Sequence, residues 1–68
     1  MNVAGQIDIF TKWDAYGFVA TSPDKPGLES AHCEGPRSAA ENLSVQLFGV
    51  HYQLTFVRRG YYQVKEVA

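Results

Sequence analysis

The chain has 68 residues, 46% of them hydrophobic, and six basic side chains against seven acidic ones give a net charge of −1. That is apolar enough for one globular core and too apolar for disorder, and the balance does not favour a nucleic-acid binder, which concentrates positive charge to displace counterions. Cys33 is the only cysteine, so no intrachain disulfide can reinforce so small a core; self-association is the expected reinforcement and a reducing, cytoplasmic setting the expected one.

The opening "MNVAGQIDIF" lacks the basic and long apolar regions of a signal peptide, and no run approaches the length that spans a bilayer, so no membrane association is expected. From Asn2 to Trp13 apolar and polar residues alternate, Val3, Ile7 and Ile9 on one side and Gln6, Asp8 and Lys12 on the other, the period of a half-buried strand. Asp14 to Gly17, "DAYG", has turn composition and leads into "YGFVATS", rich in aromatic and β-branched residues, so these segments predict an antiparallel hairpin. The corner Pro23-Asp24-Lys25-Pro26-Gly27 follows: the prolines fix φ, Asp24 can bond its own following backbone, and Gly27 permits positive φ. "GLESAHCEG" then reads as a short third strand.

Ser38 with Glu41 three residues on forms a capping box that opens the single predicted helix; Ala40, Leu43 and Leu47 share one face, and Gly49 sits where a left-handed C-cap belongs. The last segments, "VHYQLTFV" and "YYQVKEV", flank Arg58-Arg59-Gly60, a loop suited to a hairpin with a bulge. Val50, Tyr52, Leu54 and Phe56 alternate with His51, Gln53 and Thr55, which predicts a strand with one buried face. The predicted fold is one α+β domain over residues 1–68, an antiparallel sheet of four to five strands in the order β-β-β-α-β-β with one helix on one face. A single helix cannot cover every inward residue of such a sheet, and the uncovered apolar surface points to a partner.

Tyr16 to Leu28, with its aromatic-Val-Ala strand and Pro-Asp-x-Pro-Gly corner, then Gly35 and Ser38-x-x-Glu41-x-Leu43, resembles the HicB-like antitoxin family. The resemblance covers about Ile7 to Leu47. It implies a truncated ribonuclease-H-like fold, a homodimer, and a partner that is a small mRNA-cleaving toxin whose active surface the antitoxin covers. Many members add a C-terminal helix-turn-helix or ribbon-helix-helix segment that binds an operator. The sequence has no such segment after Val67, so direct DNA binding is not expected and a short stand-alone relative, or an inhibitor carried by a mobile element, is. The "GPRS" entry to the helix is also a residue longer than the family pattern, and the stretch from His51 to Val67 matches only loosely.

Chemistry elsewhere is weaker. His32, Cys33 and Glu34 are consecutive strand residues that point to opposite faces, and with His51 as the only other imidazole they fall short of a zinc set or a cysteine-histidine pair. Asp8 stands where ribonuclease-H-like enzymes keep an acid, but no second strand carboxylate joins it for two-metal cleavage. Arg58 and Arg59 beside Tyr61 and Tyr62 supply charge and stacking planes for RNA, although an adjacent tyrosine pair can turn only one ring outward. The expected function is non-enzymatic and cofactor-free: an antitoxin-like protein-binding module, with RNA binding through Arg58 to Tyr62 as the alternative. Trp13, Tyr16, Arg58, Arg59, Tyr61 and Tyr62 are the candidate contact residues, because Trp, Tyr and Arg dominate interface energetics.

Overall fold

A computed structural model describes residues 6–67. Four strands, β1 (Gln6–Asp14), β2 (Gly17–Thr21), β3 (Tyr52–Arg58) and β4 (Tyr61–Glu66), and one helix, α1 (Pro36–Phe48), make an α+β unit. The sheet order is β2-β1-β4-β3, antiparallel throughout. β1 meets β2 through the turn at Ala15 and Tyr16, where the Asp14 Oδ1 accepts the Tyr16 N–H at 2.8 Å, and meets β4 in the register Ile7↔Val64 and Ile9↔Tyr62.

The alternation read from β1 holds for Ile7 and Ile9, which are buried; Val3 lies outside the described residues. With Ala20, Tyr62 and Val64 they form the sheet's contribution to the core, and Ala39, Ala40 and Leu43 of α1 close over them. The alanines let the helix axis approach the sheet closely. Leu47 is half-buried against the same cluster, so the helical face predicted at three-to-four spacing is the one that packs.

Three expectations need correction. The third strand is reduced to two isolated bridges against β2, Thr21↔Glu29 and Phe18↔Cys33. A serine side chain interrupts the ladder: the buried Ser30 Oγ takes the Ala20 N–H at 2.8 Å and donates to the Ala31 carbonyl, while the Ser30 N–H donates to Ala20 O. The helix begins at Pro36 with Gly35 as its cap, two residues ahead of the Ser38 box. Proline at the first helical position loses no hydrogen bond and has its φ already set, which outweighs a serine cap further in. Ser38 makes no cap bond, and Glu41 instead pairs with Arg37 at 3.4 Å. At the other end Gly49 has the expected positive φ of 66°, but its ψ of −133° takes it out of the left-handed helical well. The third correction concerns β3, whose buried face is incomplete: Tyr52 and Leu54 are half-buried, whereas Val50 and Phe56 stand exposed.

The corner turns as expected, with Gly27 at φ +91°, but its carboxylate has a longer reach than a local turn. The Asp24 Oδ2 accepts the Asp8 N–H of β1 at 3.2 Å, and the Asp24 N–H donates to the Ser22 Oγ. Pro23 and Pro26 therefore hold a brace against β1 as well as a bend after β2.

Candidate functional site

Sheet register sorts the exposed groups onto two faces and one edge. On the face away from α1, Asp8, Phe10, Tyr61 and Gln63 come together across β1 and β4. The Tyr61 hydroxyl donates to Asp8 Oδ1 at 2.8 Å, Gln63 Nε2 donates to the same oxygen at 3.1 Å, and Gln6 Nε2 donates to Gln63 Oε1 at 2.8 Å. The bond to Asp8, then desolvation and the Asp8 charge, raise the Tyr61 phenol above its ordinary pKa. Phe10 stacks on Tyr61 with ring centres 4.8 Å apart, and the Arg58 guanidinium lies over Tyr61 at 5.5 Å. Asp8 is thus an acceptor in a structural network, and among the described residues no group of three or more His, Cys, Asp or Glu could hold a metal ion.

At the α1 end of the sheet a half-open hollow of about 420 Å³ is lined by Thr11, Lys12, Trp13, Phe18, Pro36, Arg59 and Gly60. Its base is fixed by the Thr11 N–H bond to Gly60 O at 2.9 Å, and Trp13, 67% exposed, stands at its wall. Tyr16 is 82% exposed at the β1–β2 turn and meets His32 edge-on at 5.7 Å. His32 Nε2 lies 3.1 Å from Asp14 Oδ2, so the turn is tied to the segment that leads into the helix.

This pair gives a pH prediction. The Tyr16 N–H first, then the His32 hydrogen bond and charge, hold the Asp14 carboxyl below its ordinary 3.8, with desolvation opposing. A depressed carboxyl contributes stability above its unfolded pKa and loses it as pH falls through the folded value. Asp14→Asn keeps an acceptor for the turn but removes the charge. Its melting temperature is therefore expected to fall less steeply than wild type below about pH 4; parallel curves from thermal melts across that range would refute the assignment.

The edges differ. The outer side of β2 is occupied by the 29–33 segment through the Thr21 and Phe18 bridges. β3, at the opposite end of the sheet, has no strand beyond it among the described residues. The Val67 N–H donates to His51 O at 3.0 Å, which aims His51 at β4. Backbone groups alternate sides along an antiparallel strand, so Gln53 and Thr55 also face β4, and the N–H and C=O groups of Tyr52, Leu54 and Phe56 point off the sheet. Tyr52 to Val57 carries no charge and no proline, the usual guards of an open edge; a bulge at Val57, between the Phe56↔Tyr62 and Arg58↔Tyr61 pairs, is the one irregularity. Phe56 is 57% exposed and Val57 44%.

Of the candidate contact residues, the structure leaves Trp13, Tyr16, Arg58 and Arg59 exposed; Trp13 and Arg59 share the hollow, whereas Tyr16 meets His32 and Arg58 lies over Tyr61. Tyr61 is half-buried in its stack, and Tyr62, 4% exposed, is a core residue that meets Phe56 edge-on. The sequence reading missed Phe56 and Val57 as surface residues; the charge-free run beside them was the available signal. No helix among the described residues is long and apolar enough to cross a membrane. Compared with protein-family models, with curated proteins and with solved structures, the chain matches none.

Proposed function

We propose that the chain is a non-enzymatic protein-binding module, an antitoxin-like inhibitor that acts by covering a surface of its target. The observation that carries this reading is the unguarded β3 edge, with outward backbone groups at Tyr52, Leu54 and Phe56 and apolar side chains exposed at Phe56 and Val57. Such an edge accepts an added strand, with main-chain bonds supplying affinity and flanking side chains supplying selectivity. The HicB-like motifs favour a small mRNA-cleaving toxin as the target, a homodimer as the working form, and a cytoplasmic setting in keeping with the lone thiol.

Capture from the native host with tagged protein tests it. A specific protein is expected with the wild-type chain, and binding of that purified partner is expected to protect the Tyr52, Leu54 and Phe56 amides from hydrogen exchange. Phe56→Glu, which places a charge on an exposed anchor, is expected to weaken binding at least tenfold, in the range of roughly 2 kcal/mol typical of interface anchors. Capture of no protein, or undiminished binding by Phe56→Glu, would sink the proposal.

The stacked Phe10–Tyr61 pair under Arg58 favours one second reading, single-stranded RNA on the helix-free face. That reading requires salt-dependent oligonucleotide binding that disappears in Arg58→Ala/Arg59→Ala. Asp8, held against Tyr61 at the centre of that face, opposes a phosphate backbone there.

A further inference from the structure

We infer that β3 pairs with β3 of a second copy of this chain, antiparallel about a two-fold axis at Leu54, to make one continuous sheet. The inference rests on the protein-binding reading for the use of that edge and makes the second copy its occupant in the free protein, so a target strand pairs there only by displacing that copy.

The register follows from which backbone groups are free. Tyr52, Leu54 and Phe56 present their N–H and C=O groups outward. With the axis at Leu54, these residues meet Phe56, Leu54 and Tyr52 of the other copy. Every outward group then finds a partner, because each opposed pair of this kind exchanges two hydrogen bonds. An axis at Gln53 or Thr55 would push Phe56 or Tyr52 past the matching segment, opposite Val50 or Arg58 beyond it.

Side-chain order agrees with the same axis. Tyr52-Gln53-Leu54-Thr55-Phe56 reads aromatic, polar, aliphatic, polar, aromatic in either direction. Self-pairing therefore sets Tyr52 against Phe56 on the α1 side, Gln53 against Thr55 on the other, and Leu54 against itself. Cross-strand aromatic and polar pairs of these kinds stabilise sheets. Charge permits it as well: no charged residue lies in the paired segment, and Arg58 falls opposite Val50, so no like charges meet. The contact is isologous and closes after two copies, and the Val57 bulge ends the ladder on each side. It also covers Phe56 with the other copy's Tyr52.

Cysteine cross-linking reads the register. In a Cys33→Ser background, Leu54→Cys places the two thiols directly opposite, with Cα atoms about 5.5 Å apart, inside the range of about 4.4–6.8 Å that a disulfide spans. Thr55→Cys places them on a diagonal at roughly 7–8 Å, outside it. Oxidised glutathione is expected to convert most of the Leu54→Cys chain to a covalent dimer on a non-reducing gel, and at least tenfold less of Thr55→Cys. Phe56→Glu, whose side chain is exposed in the isolated chain, is expected to sediment as a folded monomer where wild type is a dimer. If Leu54→Cys does not fold, concentration-dependent protection of the Tyr52, Leu54 and Phe56 amides in the wild-type chain reads the same pairing.

A wild-type chain that stays monomeric up to millimolar concentration, equal cross-linking at the two positions, or a dimeric Phe56→Glu would overturn the inference. Purified chain alone is used, so self-pairing can fail while a different protein is still captured at this edge, and the two results stay separable.

Discussion

Replacing Leu43 with alanine is expected to cost about 3 kcal/mol, most of the roughly 3–5 kcal/mol that a core of this size supplies. Leu43 is fully buried in the core cluster that α1 forms with Ile7, Ile9, Tyr62 and Val64 of the sheet. The loss has two parts, the transfer free energy of the missing carbons and the cavity they leave behind. Urea denaturation followed by far-ultraviolet circular dichroism is the measurement. A midpoint within experimental error of wild type would mean that α1 does not pack on the sheet through this residue. Val45, on the same helix and exposed, is the internal comparison, since Val45→Ala should shift the midpoint little.

Gly17→Ala is the second large effect, and its origin is different. Gly17 opens β2 at φ +132°, and a Cβ built there would lie 2.7 Å from the Cys33 carbonyl oxygen, a backbone atom with nowhere to retreat. Phe18 and Cys33 exchange both backbone hydrogen bonds, at 2.8 and 2.9 Å, so moving the carbonyl means breaking the bridge that covers this edge of the sheet. The alanine variant therefore suffers both a disfavoured backbone conformation, about 1–2 kcal/mol, and a steric clash, for a total of roughly 2–4 kcal/mol. Gly27→Ala is the control: φ is +91° there too, but nothing lies within 4 Å of the added carbon. It should cost only about 1 kcal/mol. Equal losses from the two substitutions would show that close packing against Cys33 contributes nothing.

The contrast between these glycines also marks where the sequence is informative. Both sit in turn-like surroundings, and the sequence marks Gly27 as a positive-φ residue, but only the folded chain shows that Gly17 has a neighbour at its back. The β1–β2 hairpin, the helix face from Ala40 to Leu47 and the final hairpin were legible, because periodicity reports directly which side of an element is apolar. Boundaries set by competition were not. Pro36 and Ser38 each offer a way to begin α1, and the choice depends on a free-energy difference that the one-letter pattern does not display. The third strand failed for a related reason, since the Ser30 hydroxyl takes over a bond that a backbone carbonyl would have made.

For the candidate site, the sequence supplied residue types but not their assembly. Tyr61 and Tyr62 are adjacent and chemically alike, yet register sends one into a stack with Phe10 and the other into the core. Phe56 has the right phase for burial yet stands exposed, although Tyr52 and Leu54 of the same face pack against the core and α1 makes its most extensive contact with β2. How far one helix reaches across four strands is a matter of three-dimensional placement, and alternation along a strand carries no information about it.

The sheet order has a consequence for how the molecule must be made. Its two inner strands, β1 and β4, are the first and last of the four to be synthesised, and the register joins Gln6 to Lys65. A nascent chain that has released β1, β2 and α1 still lacks Tyr62 and Val64, which close the middle of the layer. Folding on the ribosome therefore cannot reach completion until the final strand has emerged, and a stalled or clipped product would present bare Ile7 and Ile9 to chaperones and proteases.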